Sequence, residues 1–457
     1  MFRRLAAVEE HDGFRCVELA LHFKNVNFKV SHFLSRIQLR RMLRLVTLLL
    51  FTLPLCALDP VWLATFDQVW QLVQDKHWDP VELERSGWTR LRAEYRPKVE
   101  AAKTPSEARG YLREMIQRLK LSHFHISGGE SVEEAAVFGD GRPPFDVAII
   151  DGRAFTWRPE PNAGVSAGVE ILAVGGVPLA GPLQRLAQSR TGPMLISRQR
   201  SLVLAKLSGN PGETVELTVQ APGAATQNAS VKLLAPKGQL TRFGFLPPMP
   251  ISIETKRLGD VGFIAFNLFL DPVRLSPAFE SAVKGCKATC RGFVIDLRGN
   301  PGGIGILAMG LAGFFVTQPD QVLGNMIRRD SKLKFTVNPR AEIYTGPLAI
   351  LIDSGTASTA EIMAGGLQDL GRARIFGSRS MGAALPSVIE RLPNGDLFQY
   401  PVANYISRNG KTLEGEGVTP DQVVNLTPAT LAAGDPVLDA ALQWIHAQKS
   451  ILPTHRK

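Results

Sequence analysis

Gly292-Phe-Val-Ile-Asp-Leu-Arg-Gly-Asn-Pro-Gly-Gly303 decides the fold. Its first half is a near-continuous apolar run, which suits a strand buried on both faces of a parallel sheet. Its second half is a turn that ends in two glycines, placed before a helix. Val261–Phe266 and Pro347–Asp353 are apolar runs of the same kind. The second of them ends in another turn that feeds a helix, Asp353-Ser-Gly-Thr-Ala-Ser-Thr-Ala-Glu361. Strand, turn and helix in alternation predict an α/β core over residues 245–450, with ligands beyond the carboxyl ends of its strands. Asn394-Gly395 and Asn409-Gly410 predict hairpin turns, and Asp435-Pro436 opens a closing helix.

Upstream the texture differs. Asp59-Pro60 starts a helix in which Trp62, Phe66, Val69, Trp70 and Val73 form one apolar stripe. Helical pattern continues to Leu119, with Pro105-Ser-Glu107 opening a further helix, so residues 58–135 read as a small helical domain. Residues 140–237 carry short β-type runs, notably Gly168-Val-Glu-Ile-Leu-Ala-Val-Gly-Gly176, then a helical segment and an alternating strand after Gly209-Asn-Pro-Gly212. No internal repeat or low-complexity tract interrupts this order. From Met42, a positive charge, a short apolar run and Ala57 have the proportions of a secretory signal, with an N-terminal membrane anchor as the other reading. Residues 1–57 are therefore set apart as an upstream extension and signal, with Met42 as the start.

The formal net charge of +10 raises the question of a nucleic-acid partner. Residues 1–57 hold nine Lys/Arg against four Asp/Glu, and the remainder 43 against 38 without a long basic run. That is a solvated surface, and a nucleic-acid partner is not expected. Four cysteines are too few for a disulfide scaffold. No histidine lies between positions 126 and 445, so Cys286-x-x-x-Cys290 lacks the companions a zinc site needs. The pair reads as structural, and export would let it oxidise.

Two turns can carry chemistry. The Asp296–Gly303 turn can aim backbone N–H groups into a cavity, although it lacks the Lys-Ser/Thr ending of a phosphate loop. Ser358 falls at a helix N-terminus, where it is either a plain cap or a nucleophile favoured by the helix dipole. A serine needs a base. His11, His22 and His32 precede the signal, and His446 and His455 lie near the tail. His77 adjoins Trp78 at a helix end and reads as packed. That leaves His123 and His125, which alternation would put on one face of a strand.

Ser122-His123-Phe124, the Asp296–Gly303 loop, Gly355–Glu361, Gln368-Asp369 and Glu414-Gly-Glu-Gly-Val-Thr-Pro-Asp421 together resemble the C-terminal-processing (tail-specific) and tricorn-core family of serine peptidases. The resemblance spans essentially residues 59–450. It implies a crotonase-like α/β catalytic core, an N-terminal helical domain and an inserted PDZ-like β domain. Ser358 matches the family nucleophile. Ala383, in Ser380-Met-Gly-Ala-Ala384, stands where the tail-specific branch has a lysine base. The tricorn-like branch uses a Ser-His pair and a late acidic residue, matched by Ser122, His123 and Glu414, with Glu416 as a rival for the last.

The resemblance implies acyl transfer: Ser358 attacks, His123 moves the proton, and Glu414, through Ser122, orients the imidazole. Gly302 or Gly303 and Thr359 would supply the oxyanion hole. No metal or cofactor is called for. The implied substrate is an unfolded or C-terminal protein segment docked at the PDZ-like groove in the cell envelope. Two other readings stand beside this one: an inactive peptide- or ligand-binding protein on the same fold, and a crotonase-like enzyme acting on acyl thioesters.

Overall fold

The computed structural model describes residues 59–128, 140–244 and 246–448. The expected signal and upstream extension lie outside the described residues. Four helices open the described chain, Val61–Lys76, Pro80–Arg85, Trp88–Glu100 and Pro105–Gln117. Trp62, Phe66, Val69 and Val73 of the first are buried, as the apolar stripe requires. Pro80–Arg85 and Pro105–Gln117 start on caps legible in the sequence, Asp79 and Thr104; the Thr104 hydroxyl accepts from Glu107 N at 3.1 Å before Pro105. His77 ends the first helix with its ring stacked on Trp78 at 4.1 Å.

The core of this helical bundle is not self-contained. Leu392, Phe398 and Tyr400 complete it, and they belong to a hairpin built from Ser387–Arg391 and Leu397–Pro401, nearly three hundred residues further on. The short strand His125–Ser127 adds to that hairpin, antiparallel, with His125 opposite Gln399. Arg109 grips the hairpin turn through Asp396, with bonds of 2.8 and 2.9 Å from Nε and Nη2. These links hold the segment before His125 against the later part of the chain.

Residues 146–232 form an antiparallel sheet, with Asp146–Ile150 at one edge beside the helix Gly192–Lys206. It docks on the rest through Leu431, which packs against Ala148, Phe155 and Trp157. Trp157 also donates its indole N–H to Gly434 O at 3.0 Å. Beneath Trp157, the buried Arg298 pairs with Asp296 and Asp435. Arg158 reaches the same two carboxylates at 3.8 and 3.6 Å while binding Asp146 at 2.7 Å.

The last layer is a six-stranded sheet. Ile253–Leu258 runs antiparallel to Val261–Phe266; from there Gly292–Asp296, Leu348–Ile352, Arg374–Gly377 and Gln422–Val423 follow in parallel. Gly292–Asp296 and Leu348–Ile352 are buried at every position, as parallel strands covered on both faces must be. Pro272–Cys286, Gly305–Ala312 and Thr359–Asp369 cover one face, and Pro436–Ala447 the other. Cys286 and Cys290 are joined by a disulfide. The turn at Asn394-Gly395 closes a full hairpin, whereas Asn409-Gly410 returns only a single bridge, Ile406 to Thr412.

Candidate active site

The two strand-to-helix turns lie side by side at the carboxyl ends of Gly292–Asp296 and Leu348–Ile352 and are laced together. Asp353 Oδ1 accepts from Gly299 N at 2.7 Å and Gly355 N at 2.9 Å. Ala357 N donates to Asn300 O at 2.9 Å, and Thr356 Oγ1 to Leu297 O at 2.7 Å. Arg200, from the helix Gly192–Lys206, binds the outer oxygen of Asp353 at 3.2 Å. Neither turn can move without the other.

Ser358 stands immediately before the helix Thr359–Asp369 with φ 55° and ψ −121°. A non-glycine residue there costs about 1–3 kcal/mol and persists only where its surroundings impose it. Two acceptors impose it: Ser358 N donates to Ala383 O at 2.7 Å and to Glu361 Oε2 at 2.9 Å. The hydroxyl meets His123 Nε2 at 3.2 Å. His123 does not lie on a strand with His125, as alternation suggested. It precedes the strand in a left-handed conformation, φ 60°, which turns its ring toward Ser358 and leaves His125 exposed on the strand.

Behind His123 the chain of contacts continues. Its Nδ1 lies 2.7 Å from Ser122 Oγ, which is 2.7 Å from Glu414 Oε2. Glu414 also accepts from Ser122 N at 2.7 Å and Ala384 N at 3.2 Å. An ionised carboxylate only accepts, so the single Ser122 hydroxyl proton goes to Glu414. Ser122 Oγ then accepts from His123 Nδ1–H, and Nε2 is left bare to accept from Ser358. Glu416 lies outside this chain: it is exposed, with Arg379 3.9 Å away.

Gly302 and Gly303 differ in what they offer. Gly302 N donates to Asn300 Oδ1 at 2.9 Å, so its N–H is committed. Gly303 N and Thr359 N have no acceptor among the described residues; Thr359 follows Ser358 in the chain, and its hydroxyl donates to Gly303 O at 2.8 Å. Gly302 instead provides room. At φ 98°, a Cβ there would fall 2.7 Å from Ser358 Cβ and 2.8 Å from Thr359 N. Gly302→Ala is expected to cost about a hundredfold in kcat through displacement of Ser358, measurable by single-turnover kinetics on folded protein.

Burial sets the titration of the site. It pushes the His123 imidazole down to about 4. It pushes Glu414 upward, against the pull of the Ser122 and Ala384 hydrogen bonds. Glu361, buried below Ser358, rises to about 7 through burial despite four hydrogen bonds. A carboxyl raised in the folded state weakens the fold when ionised, so Glu361 returns stability as pH falls from about 7 toward its unfolded value of 4.5. For His123 the neutral, base-competent form persists well below its ordinary 6.5. The expected kcat/KM profile therefore has its imidazole limb near 4, and a limb near 7 belongs to Glu361. Warming separates the two, because an imidazole pKa falls with temperature and a carboxyl pKa hardly moves.

Of the residues the sequence nominated, Ser358, His123, Ser122 and Glu414 come together in one file, with Gly303 and Thr359 beside it. Glu361 had been given no role. The spacing Ser358-Thr-Ala-Glu361, that of a capping box, was the available signal.

Residues 260–424 match the family model for Peptidase family S41, and residues 60–117 that for the Tricorn protease C1 domain. A probable CtpA-like serine protease of Staphylococcus haemolyticus is 25% identical over 233 residues, half of this chain and 44% of that protein. The chain thus spans less than half the length of that relative. Among solved structures, the photosystem II D1 C-terminal processing protease matches at TM-score 0.52 and 21% identity, covering 80% of this chain and 94% of that one. Mature CPAF matches at TM-score 0.60 and 15% identity, covering 86% of this chain and all of the other. At those identities the structural matches establish a shared α/β fold.

Proposed function

We propose that this chain, which carries a Peptidase family S41 domain together with a Tricorn protease C1 domain, is a serine endopeptidase cleaving unfolded or C-terminal protein segments. The observation that carries this reading is the unbroken file Ser358–His123–Ser122–Glu414, with bonds of 3.2, 2.7 and 2.7 Å. Ser358 Oγ attacks the peptide carbonyl as His123 Nε2 takes its proton. The imidazolium then donates through Nδ1–H to Ser122 Oγ, whose own proton stays on the Glu414 side. Collapse of the tetrahedral intermediate returns the Nε2 proton to the leaving amine, and water repeats the sequence on the acyl-enzyme. The oxyanion meets Gly303 N–H and Thr359 N–H. One such donor is worth about 3 kcal/mol in comparable sites.

Ala383, at the position of the tail-specific lysine, packs against this site without a basic group, so the proton must go to His123. We read the sheet over residues 146–232 as PDZ-like: the Asp146–Ile150 edge beside the helix Gly192–Lys206 would take a peptide as an added strand. The core we read as crotonase-like. The leader read in the sequence would send the protein to the cell envelope. No helix among the described residues is long and apolar enough to cross a membrane.

The test is hydrolysis of unfolded casein by the purified protein, with an acyl thioester offered in parallel. Cleavage of casein alone supports the peptidase. Turnover of the thioester alone moves the protein to another reaction class, and inertness to both in folded protein favours a binding role.

A further inference from the structure

Glu361 is fully buried and has no cationic partner among the described residues. Each of its oxygens accepts two hydrogen bonds. Oε1 takes Ser380 Oγ at 2.6 Å and Gly382 N at 2.8 Å. Oε2 takes Ser358 N at 2.9 Å and Ala383 N at 3.0 Å. Ser380 Oγ in turn accepts from Val418 N at 2.6 Å, which ties in the loop that carries Glu414. The next amide along, Ala384 N, goes to Glu414 itself at 3.2 Å. Three consecutive backbone N–H groups, 382 to 384, are thus divided between two carboxylates. The strip they belong to holds Ser358 N through Ala383 O at 2.7 Å.

We infer that Glu361 is a positioning residue of the nucleophile: its carboxylate clamps the Ser358 turn to the 380–384 strip and, through Ser380, to the loop that presents Glu414. This deepens the peptidase reading and rests on it for its kinetic consequence. The clamp requires an anion. All four partners are donors, so an amide in place of the carboxylate would turn its NH2 toward two of them. Four donors satisfy the lone pairs that burial strips of water, so the anion, favoured above about pH 7, needs no cation. The same groups explain how Ser358 is held in its unfavourable backbone conformation: Glu361 accepts from Ser358 N and also from the N–H of Ala383, whose carbonyl is the other acceptor of Ser358 N.

The test compares the full chain with Glu361→Gln and Glu361→Asp by amide hydrogen exchange and by steady-state casein hydrolysis. In Glu361→Gln, exchange at Ser358, Gly382 and Ala383 is expected to rise at least tenfold, with Leu348–Ile352 and Arg374–Gly377 unchanged. Its kcat is expected to fall about a hundredfold with KM held within about twofold, as loss of alignment without loss of binding requires. Glu361→Asp keeps the charge one methylene short and should recover part of both. It also carries the test should Glu361→Gln not fold. Wild-type exchange at those three amides in both variants overturns the clamp. An exchange response in a wild type that cleaves nothing overturns the peptidase reading and leaves the clamp standing as architecture.

Discussion

Ser358→Ala should reduce casein hydrolysis by about 10⁴-fold or more in kcat, with the protein folded as before. The prediction follows from position. Ser358 Oγ lies 3.2 Å from His123 Nε2, and Gly303 N and Thr359 N, beside its turn, have no acceptor among the described residues. Folding should not suffer. The backbone bonds that set the turn, from Ser358 N to Ala383 O and Glu361, do not use the side chain. Alanine does inherit the positive φ, but serine already bears that strain. A circular dichroism spectrum and melting curve close to wild type, together with loss of cleavage, is the expected pairing.

His123→Ala should cost nearly as much as Ser358→Ala, and the double variant no more than either alone. Residues that act as one unit are grossly non-additive, because a hydroxyl without a base gains little from being well placed. No substitute base is at hand among the described residues: Ala383 carries none, and His125 is exposed on its strand. Ser122→Ala and Glu414→Gln should sit between, since they remove orientation and leave the imidazole. Glu416→Ala should be silent. A Glu416 variant as damaged as Glu414→Gln would mean that the loop presents the other carboxylate in solution.

The core was legible because buried parallel strands announce themselves. Val261–Phe266 has the bounds its apolar run suggested, and the two following strands end where their polar turns begin. The nucleophile turn was legible for the same reason. The base was harder, because His123 and Ser358 are 235 residues apart and no local pattern joins them. What joins them is the pairing of His125–Ser127 with Leu397–Gln399, a register fixed by the distant hairpin. A three-residue strand has too few positions for alternation to speak, and this is why His123 was misplaced onto it. The helical unit looked separate because its stripe is strong, yet Leu392, Phe398 and Tyr400 complete its core. Beyond the capping-box spacing of Ser358 and Glu361, the donors that surround Glu361 and the commitment of Gly302 N–H are not legible in the sequence. The partners of Glu361 and of Gly302 N–H are backbone groups and the side chains of Ser380 and Asn300, whose orientation only the folded turns define.

The most direct test of the account is where a fluorophosphonate, which phosphonylates activated serines with loss of fluoride, attaches to the full chain. Peptide mass mapping of wild type should place one label per chain on Ser358, with none in Ser358→Ala and a rate at least a hundredfold lower in His123→Ala. A label on another serine, or undiminished labelling of Ser358 in His123→Ala, would contradict the claim that His123 activates Ser358.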